Sequence, residues 1–396
     1  MRIEKRFTHG MFIGILVFIV MAAAFVNPSP SVAALSILHT FSGSEDDGSS
    51  PWGDLTLSGS TFYGMTAMGG ASGNGAVFTI NTDGTGFKLL YSFTGGADGD
   101  APTGNVTISG STLYGMTVGD SAFGTGPATL FKINDDGTEF KVLHAFGTGK
   151  DGADPQGSLT LSGSTLFGMT WEGGTGGNGT LFKISTTGAG YKILHDFGIK
   201  GGDGGNPMGS LTLSGSTLYG MTQGGGTRDE GTIFKMSTSG AGYTVLHSFS
   251  GSDGQGPIGN LTVSGTTLYG MTNFGGADSL GTIFAFNTKT GKLTLLHSFS
   301  GGNDGRNPTG SLTLSGTTLY GMTGWGGTDE GGTIFQIQTD GTGYQVLQSL
   351  SGKDGVQPYG SFTLSGSTLY GMTGSGGGKN NNGDGTIFSL PITPAQ

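Results

Sequence analysis

Apolar and polar residues alternate in short runs along this chain, and four such runs recur in every unit of roughly fifty residues. In one unit they span residues 210–214, 217–222, 231–236 and 243–249, and they are rich in β-branched and aromatic residues. Glycine, serine and threonine separate the runs, which is typical of antiparallel strands joined by turns. No segment shows the spacing of an amphipathic helix over a useful length. The pattern predicts a four-stranded antiparallel meander in each unit.

A Gly-Met-Thr triplet marks one position of the unit. It begins at Gly64, Gly115, Gly168, Gly220, Gly270, Gly321 and Gly371. The first recognisable strand, residues 36–41, matches the fourth run of the unit, whereas the last, residues 385–390, matches the third. Pairing these two ends completes the seventh sheet and leaves no unit open. The sequence therefore predicts an all-β seven-bladed β-propeller over residues 34–396, closed by its N-terminal strand.

The triplet methionines and a phenylalanine in each third run, beginning with Met65 and Phe78, recur once per unit. We expect both to fill the space between neighbouring sheets, because blades pack face to face. We expect the triplet glycine to let adjacent backbones approach closely.

Residues 1–33 have the layout of a secretory signal peptide. Arg2, Lys5 and Arg6 precede an apolar stretch from Met11 to Val26, and small residues follow. We expect cleavage before Ala34 and a secreted protein, extracellular or periplasmic, without a stable membrane anchor. A retained N-terminal anchor is the alternative. The chain has no Cys, which excludes disulfides and thiolate metal sites.

The chain has a formal net charge of −10, and no basic stripe interrupts it. Because such a surface repels phosphate backbones, nucleic acid is excluded as a partner. We expect a monomer whose partner is a glycan or another protein of the cell envelope or extracellular space.

The quoted unit contains Leu-Tyr-Gly-Met-Thr, then Gly-Thr-Ile-Phe-Lys and Val-Leu-His-Ser-Phe, and Asp-Gly-x-x-Pro-x-Gly follows it at residues 253–259. This signature resembles the GloVer-type, or choice-of-anchor, family of bacterial tandem-repeat proteins, over about residues 35 to 390. The resemblance implies export and attachment to the cell surface, and it implies no particular activity. This chain departs from the pattern in its central Met, where many family repeats carry Thr, and in showing no C-terminal anchor.

Strand parity places the connections from second to third strand and from fourth to first strand on one side, called here the long-loop face. Binding residues on a rigid scaffold usually lie in such loops. The opposite side carries only tight turns.

Every unit has an aspartate four residues before a proline in its fourth-to-first loop. These aspartates are Asp47, Asp98, Asp151, Asp203, Asp253, Asp304 and Asp354. The favoured interpretation is a turn in which Asp bonds its own downstream backbone. The alternative is calcium, the one cofactor considered, which needs six to eight oxygen ligands.

Five histidines occupy one position of the fourth strand. They are His39, His144, His195, His247 and His297, and Tyr91 and Gln348 replace them in the other two units. Because the outermost strands lie far apart around the rim, we expect no shared metal ion.

Residues that differ between units are not required by the repeated fold and are therefore candidates for a function. In the loops of the long-loop face these include Met68, Asn273 and Lys379. The candidate ligand-binding residues are Trp52, Trp171, Glu172, Arg228, Phe274, Trp325 and Tyr359. Aromatic rings beside polar groups suit a sugar or peptide ligand, although such rings also simply cap a channel.

The preferred function is a non-catalytic binding protein that recognises a glycan or an envelope component. One alternative is a polysaccharide hydrolase or lyase, for which Glu172, Glu230 and Glu330 are candidate acid–base groups. The other is a purely structural extracellular protein.

Overall fold

The computed structural model describes residues 34–119, 126–147, 150–198, 200–378 and 383–392. The predicted signal segment and Lys379 lie outside this range. The described residues form seven four-stranded antiparallel sheets, which are the blades of a β-propeller. No helix among them is long and apolar enough to cross a membrane.

Blades are numbered by their Gly-Met-Thr triplets, and their strands run from the centre outward. The first strands are Thr56–Ser58, Thr107–Ser109, Thr160–Ser162, Thr212–Ser214, Thr262–Ser264, Thr313–Ser315 and Thr363–Ser365. The second strands are Thr61–Thr66, Thr112–Thr117, Thr165–Thr170, Thr217–Thr222, Thr267–Thr272, Thr318–Thr323 and Thr368–Thr373. The third strands are Ala76–Asn81, Thr129–Asn134, Thr180–Ser185, Thr232–Ser237, Thr282–Asn287, Thr333–Gln338 and Thr386–Pro391. The fourth strands are Lys88–Ser92, Lys141–Ala145, Lys192–Asp196, Thr244–Ser248, Lys292–Ser298, Gln345–Ser349 and, in blade 7, Ser36–Thr40.

Two short ladders and one turn of 3-10 helix lie in the loops. The ladders pair Gly48–Ser49 with Met68–Gly69 and Gly204–Gly205 with Gly224–Gly225, and the 3-10 turn is Gly302–Asp304.

The predicted closure of the ring is confirmed. The N-terminal strand Ser36–Thr40 pairs antiparallel with Thr386–Pro391 and so supplies the outer strand of blade 7. Phe41 packs with Ile387 of blade 7 and with Phe62 of blade 1 in one apolar cluster. The seam is therefore held by side-chain burial as well as by backbone hydrogen bonds.

The apolar core lies between blades. The cluster of blades 1 and 2, for example, joins Met65 and Val77 to Leu113 and Phe131, and all four side chains are buried. This arrangement confirms that the repeated Met and Phe residues fill the space between sheets.

The triplet glycine has a different role from the one predicted. In blade 1, a Cβ added at Gly64 would lie 2.4 Å from Cζ of Phe78, which is its cross-strand neighbour. The glycine makes room for an aromatic ring, not for a neighbouring backbone. The same overlap occurs in the other six blades.

Close approach of backbones occurs instead at the Pro-x-Gly glycines, which form a ring around the axis. A Cβ at Gly310, for example, would lie 2.0 Å from the carbonyl oxygen of Gly360 in the next blade. Around the whole ring this distance does not exceed 2.6 Å. Only glycine fits there, because even one methyl group would overlap the neighbouring peptide.

Two rings of hydrogen bonds join the first strands. In the inner ring, the residue that follows each Pro-x-Gly glycine donates its backbone N–H to a side-chain oxygen of the equivalent residue in the next blade. The successive residues are Asp54, Asn105, Ser158, Ser210, Asn260, Ser311 and Ser361, and Ser361 donates back to Asp54. In the second ring, a threonine hydroxyl donates to the next blade's carbonyl, from Thr56 to Val106 and around to Thr363 and Leu55.

Candidate functional site

A cavity of about 440 Å³ opens at the long-loop face, on the axis of the ring. Each blade contributes to it the residue between the loop proline and the ring glycine. These residues are Trp52, Thr103, Gln156, Met208, Ile258, Thr309 and Tyr359. Asn273, Phe274, Asn307 and Trp325 extend the lining over blades 5 and 6. We call this space the mouth cavity.

A narrower cavity of about 100 Å³ is lined by the same seven residues together with the ring glycines and six of the residues that follow them. The mouth cavity is thus the wide end of a constricted axial channel.

A left-handed residue before each loop proline positions the lining residue. It has φ between 51° and 60° in every blade, as in Asp154, Gly256 and Asn307. Its carbonyl accepts a hydrogen bond from the residue that follows the Gly-Met-Thr triplet, such as Trp171 N–H to Asp154. In most blades its own N–H donates to the preceding blade's loop, as from Asn307 to Leu280. The loops are therefore tied within and between blades.

Phe274 and Trp325 are the exposed aromatic residues of the cavity, at 45% and 40% exposure. The backbone of Phe274 exchanges two hydrogen bonds with Gln255, and that of Trp325 exchanges two with Arg306. The backbone that carries each ring is thus already fixed before a ligand binds, which reduces the entropic cost of binding.

Arg306 supports Trp325 from outside the cavity lining. Its guanidinium carbon lies 5.9 Å from the centroid of the Trp325 ring, and its Nη2 lies 3.0 Å from Oε2 of Glu330. The cation is therefore engaged by a carboxylate and an aromatic face.

Two asparagines, Asn273 and Asn307, line the same cavity as the exposed rings. The Nδ2 of Asn307 donates to the carbonyl of Asn273, and the Nδ2 of Asn273 donates to the carbonyl of Pro308. These bonds orient both amides, and each amide oxygen can act as a hydrogen-bond acceptor.

Trp52 and Tyr359 meet at the seam between blades 1 and 7. Their ring centroids are 5.1 Å apart, with a 36° angle between planes. Burial raises the pKa of the Tyr359 phenol, so it is a neutral hydroxyl at physiological pH.

The structure brings together four of the seven predicted ligand-binding residues, namely Trp52, Phe274, Trp325 and Tyr359. Trp171, Glu172 and Arg228 do not line the mouth cavity. Glu172 and Arg228 are exposed, whereas Trp171 is half-buried, and its Nε1 is buried without a hydrogen-bond partner among the described residues.

Asp154 lies beside these blade 3 residues. Burial, with a smaller contribution from the Glu172 carboxylate, raises the pKa of Asp154 to about 6. Its Oδ1 accepts a hydrogen bond of 2.7 Å from Nε2 of Gln156, which lines the cavity. Asp154 therefore orients a lining residue.

Sequence reasoning missed Thr103, Gln156, Met208, Ile258 and Thr309. Their position in the repeat could have revealed them, because each is the variable residue of a Pro-x-Gly sequence whose proline and glycine occur in every unit. Only the aromatic members of that set, Trp52 and Tyr359, were recognised.

The repeated aspartates bond upstream as well as downstream, whereas only a downstream turn was predicted. Asp47 accepts a hydrogen bond from the downstream Gly48 N–H, as predicted, and another from the upstream Ser42 N–H. It also lies 3.0 Å from Nε2 of His39. The carboxylate thus ties the end of the fourth strand to the loop that follows it.

The histidines are the aspartates' partners, which the sequence did not reveal. The His–Asp distances are 2.9–3.1 Å for His39–Asp47, His144–Asp151, His195–Asp203, His247–Asp253 and His297–Asp304. Tyr91 donates to Asp98 in the same way, whereas Asp354 accepts instead from the Ser351 hydroxyl. The pairs are separate, one per blade, and no group of three or more metal-ligating side chains occurs in the described chain.

These contacts shift the acidity of the aspartates. Burial alone would raise the pKa of Asp47, but hydrogen bonds from His39, Gly48 and Ser42 outweigh it and lower the pKa. The pKa of Asp203 and that of Asp304 are lowered for the same reasons.

Most of these histidines also stack on an aromatic ring of the next blade. His39 lies 3.9 Å from Phe87 between centroids, and His195 lies 3.6 Å from Tyr243. Each pair therefore joins two blades at the rim.

The three glutamates considered for acid–base chemistry lie outside the mouth cavity. Glu330 pairs with Arg306, Glu172 is exposed, and Glu230 has one oxygen buried without a partner in the described chain. They do not form a pair of carboxylates facing one bound substrate.

A closed ring of seven four-stranded blades with an axial cavity defines the chain as a seven-bladed β-propeller. Within that class, it belongs to the Gloeobacter/Verrucomicrobia repeat family, whose model matches residues 23–227 and 198–388. The resemblance seen in the repeat signature is thereby confirmed. No curated protein sequence matches the chain.

Solved structures share the fold at low sequence identity. The extracellular domain of a candidate one-component system from B. thetaiotaomicron has a TM-score of 0.57 at 13% identity, covering 91% of this chain and 40% of that one. An oligogalacturonate lyase from Vibrio parahaemolyticus has a TM-score of 0.54 at 12% identity, and the match covers 93% of this chain and 96% of the lyase. A candidate 6-phosphogluconolactonase from Bacteroides uniformis has a TM-score of 0.52 at 18% identity, and the match covers 80% of this chain and 88% of that protein. These similarities establish the fold alone.

Proposed function

We propose that this protein is a non-catalytic binding module that recognises a glycan in the mouth cavity. The observation that carries the proposal is the juxtaposition of exposed Phe274 and Trp325 with the amides of Asn273 and Asn307. Sugar rings present apolar C–H faces bordered by hydroxyls, which match flat aromatic surfaces bordered by amides. The cavity volume also lies within the usual range of small-molecule sites.

The proposed setting is outside the cytoplasm, on or near the cell envelope. The basic and then apolar composition of residues 1–33 supports export.

Catalysis on a polysaccharide has less support. None of Glu172, Glu230 and Glu330 lines the mouth cavity, so a glycan bound there would not lie between two of them. A purely structural role gives no reason for two large aromatic side chains to remain exposed beside oriented amides.

The test begins with a glycan array probed with residues 34–396, followed by calorimetry on the best ligand. Trp325→Ala should weaken binding about tenfold, corresponding to about 1.4 kcal/mol, because it removes a stacking surface. Leu295→Ala is the matched control, because Leu295 is also 40% exposed but lies on the fourth strand of blade 5, outside the cavity lining. Equal affinities for the wild type and Trp325→Ala would refute the site.

A further inference from the structure

The mouth cavity is neutral. In the part of the chain that the structure describes, its lining consists of aromatic, aliphatic, amide and hydroxyl side chains, without Asp, Glu, Lys, Arg or His. In a protein with a net charge of −10, a neutral cavity of this size stands apart from its acidic surroundings.

Among the described residues, the charged groups beside the lining leave no free counter-ion for an anionic ligand. Asp154 and Glu172 are acidic, and Arg306 is held by Glu330 outside the lining. A carboxylate, sulfate or phosphate placed in the cavity would lose hydration without gaining a cationic partner. The net negative charge of the protein would repel it further.

The polar groups of the lining suit uncharged partners instead. The amides of Asn273, Asn307 and Gln156 carry acceptors as well as donors, and the hydroxyls of Thr103 and Thr309 do the same. Ligand hydroxyl and acetamido groups donate and accept in the same way, so such groups are satisfied without charge.

We infer that the mouth cavity selects neutral glycans, bearing only hydroxyl or acetamido groups, over uronate, sulfated or phosphorylated ones. This inference rests on the proposed function and deepens it by naming the ligand class. Selection arises chiefly from the penalty on charged ligands, since an unpaired buried charge costs more than a lost neutral hydrogen bond.

The experiment compares matched pairs of glycans by calorimetry on the mature chain. Cello-oligosaccharides and chito-oligosaccharides are the neutral probes, and oligogalacturonate and a phosphorylated cello-oligosaccharide are the anionic ones. A neutral probe should bind at least about tenfold tighter than its anionic counterpart. Its affinity should change little with NaCl between about 50 and about 500 mM, because no ion pair is screened.

A charge-introducing variant tests the cause. Met208→Lys places a cation on an unbranched side chain of similar length in the lining, and it should reduce the discrimination against oligogalacturonate by about tenfold or more. Leu295→Lys adds the same charge outside the cavity lining and should leave the ratio unchanged.

The outcomes separate the two proposals. Anionic glycans that bind more tightly than neutral ones, through a site sensitive to Trp325→Ala, would overturn the inference and leave the proposed function standing. Binding of neutral glycans that does not depend on Trp325 would count against the cavity as the site and against both proposals. Failure of every glycan to bind would count against the proposed function itself.

Discussion

Blade 1 lacks a hydrogen bond that the other six blades have. In those blades, a threonine at the end of the second strand and one at the start of the third face each other, as Thr170 and Thr180 do in blade 3. Their hydroxyl oxygens are 2.8–2.9 Å apart. In blade 1 the third-strand residue is Ala76, and the buried hydroxyl of Thr66 has no hydrogen-bond partner among the described residues. The substitution Ala76→Thr should restore the pair.

The magnitude follows from the contacts that the new hydroxyl would make. Satisfying a buried polar group is worth about 1–3 kcal/mol, and fixing the new side chain offsets a few tenths of that. We therefore expect Ala76→Thr to raise the free energy of unfolding by about 1 kcal/mol. Because the unfolding entropy of so long a chain is large, this corresponds to only about 1 °C in Tm.

Equilibrium unfolding in urea, followed by tryptophan fluorescence, is the suitable assay, because the midpoint resolves such a change better than a melting temperature does. The reciprocal variant, Thr180→Ala, gives blade 3 the same Thr–Ala residue pair as blade 1. It leaves Thr170 with one fewer partner and should lose about 1–2 kcal/mol. If Ala76→Thr lowers the midpoint while Thr180→Ala leaves it unchanged, the pairing argument is wrong.

Three further predictions concern the ring, the charge at blade 3 and the repeated aspartates. Gly310→Ala should destabilise the protein by at least about 3 kcal/mol or prevent folding, because its Cβ would overlap Gly360. Gly201→Ala is the control: no atom lies within 4 Å of its Cβ, so the urea midpoint should not change. Asp154→Asn should raise stability at pH 8 by about 1 kcal/mol after allowance for solvent screening, and not at pH 4. The pKa of this carboxyl is about 6 in the folded protein and 3.8 in the unfolded chain, so the folded state is destabilised as the pH rises through 6 and the buried carboxyl ionises. Equal effects of the substitution at both pH values would contradict this. Adding a chelator should leave Tm unchanged, since the aspartates are occupied by hydrogen bonds, and a calcium-dependent rise would restore the metal interpretation.

The fold was predictable because repetition multiplies a weak signal. One alternating run of five residues is ambiguous, but seven copies with the same turns define blades, and the offset between the first and last strands defines how they close. The triplet glycine shows the limit of the same reasoning. A repeated glycine signals a steric demand, and only the structure shows that the demand comes from Phe78 and its equivalents.

The candidate site was harder to predict because aromatic residues in the same loop are not equivalent. Trp171 directly follows its triplet, whereas Trp325 lies one residue further along. Successive residues of extended backbone point to opposite sides, so one position separates a half-buried ring from an exposed one. The His–Asp pairs were missed for another reason, since two side chains six to eight residues apart meet only when the intervening loop folds back.

The circle of bonds around the axis has a topological consequence. Each blade donates to the following one and accepts from the preceding one, and the last step from Ser361 to Asp54 is of the same kind as the others. All seven bonds therefore run in the same direction around the axis, and every junction between blades has the same backbone donor, although the acceptor is a carboxyl, an amide or a hydroxyl oxygen. Adding or deleting one whole repeat would leave each local bond type available and change only the angle between neighbours. Blade number is therefore selected by the curvature that the inter-blade packing imposes, while the bonds at the hub are indifferent to it.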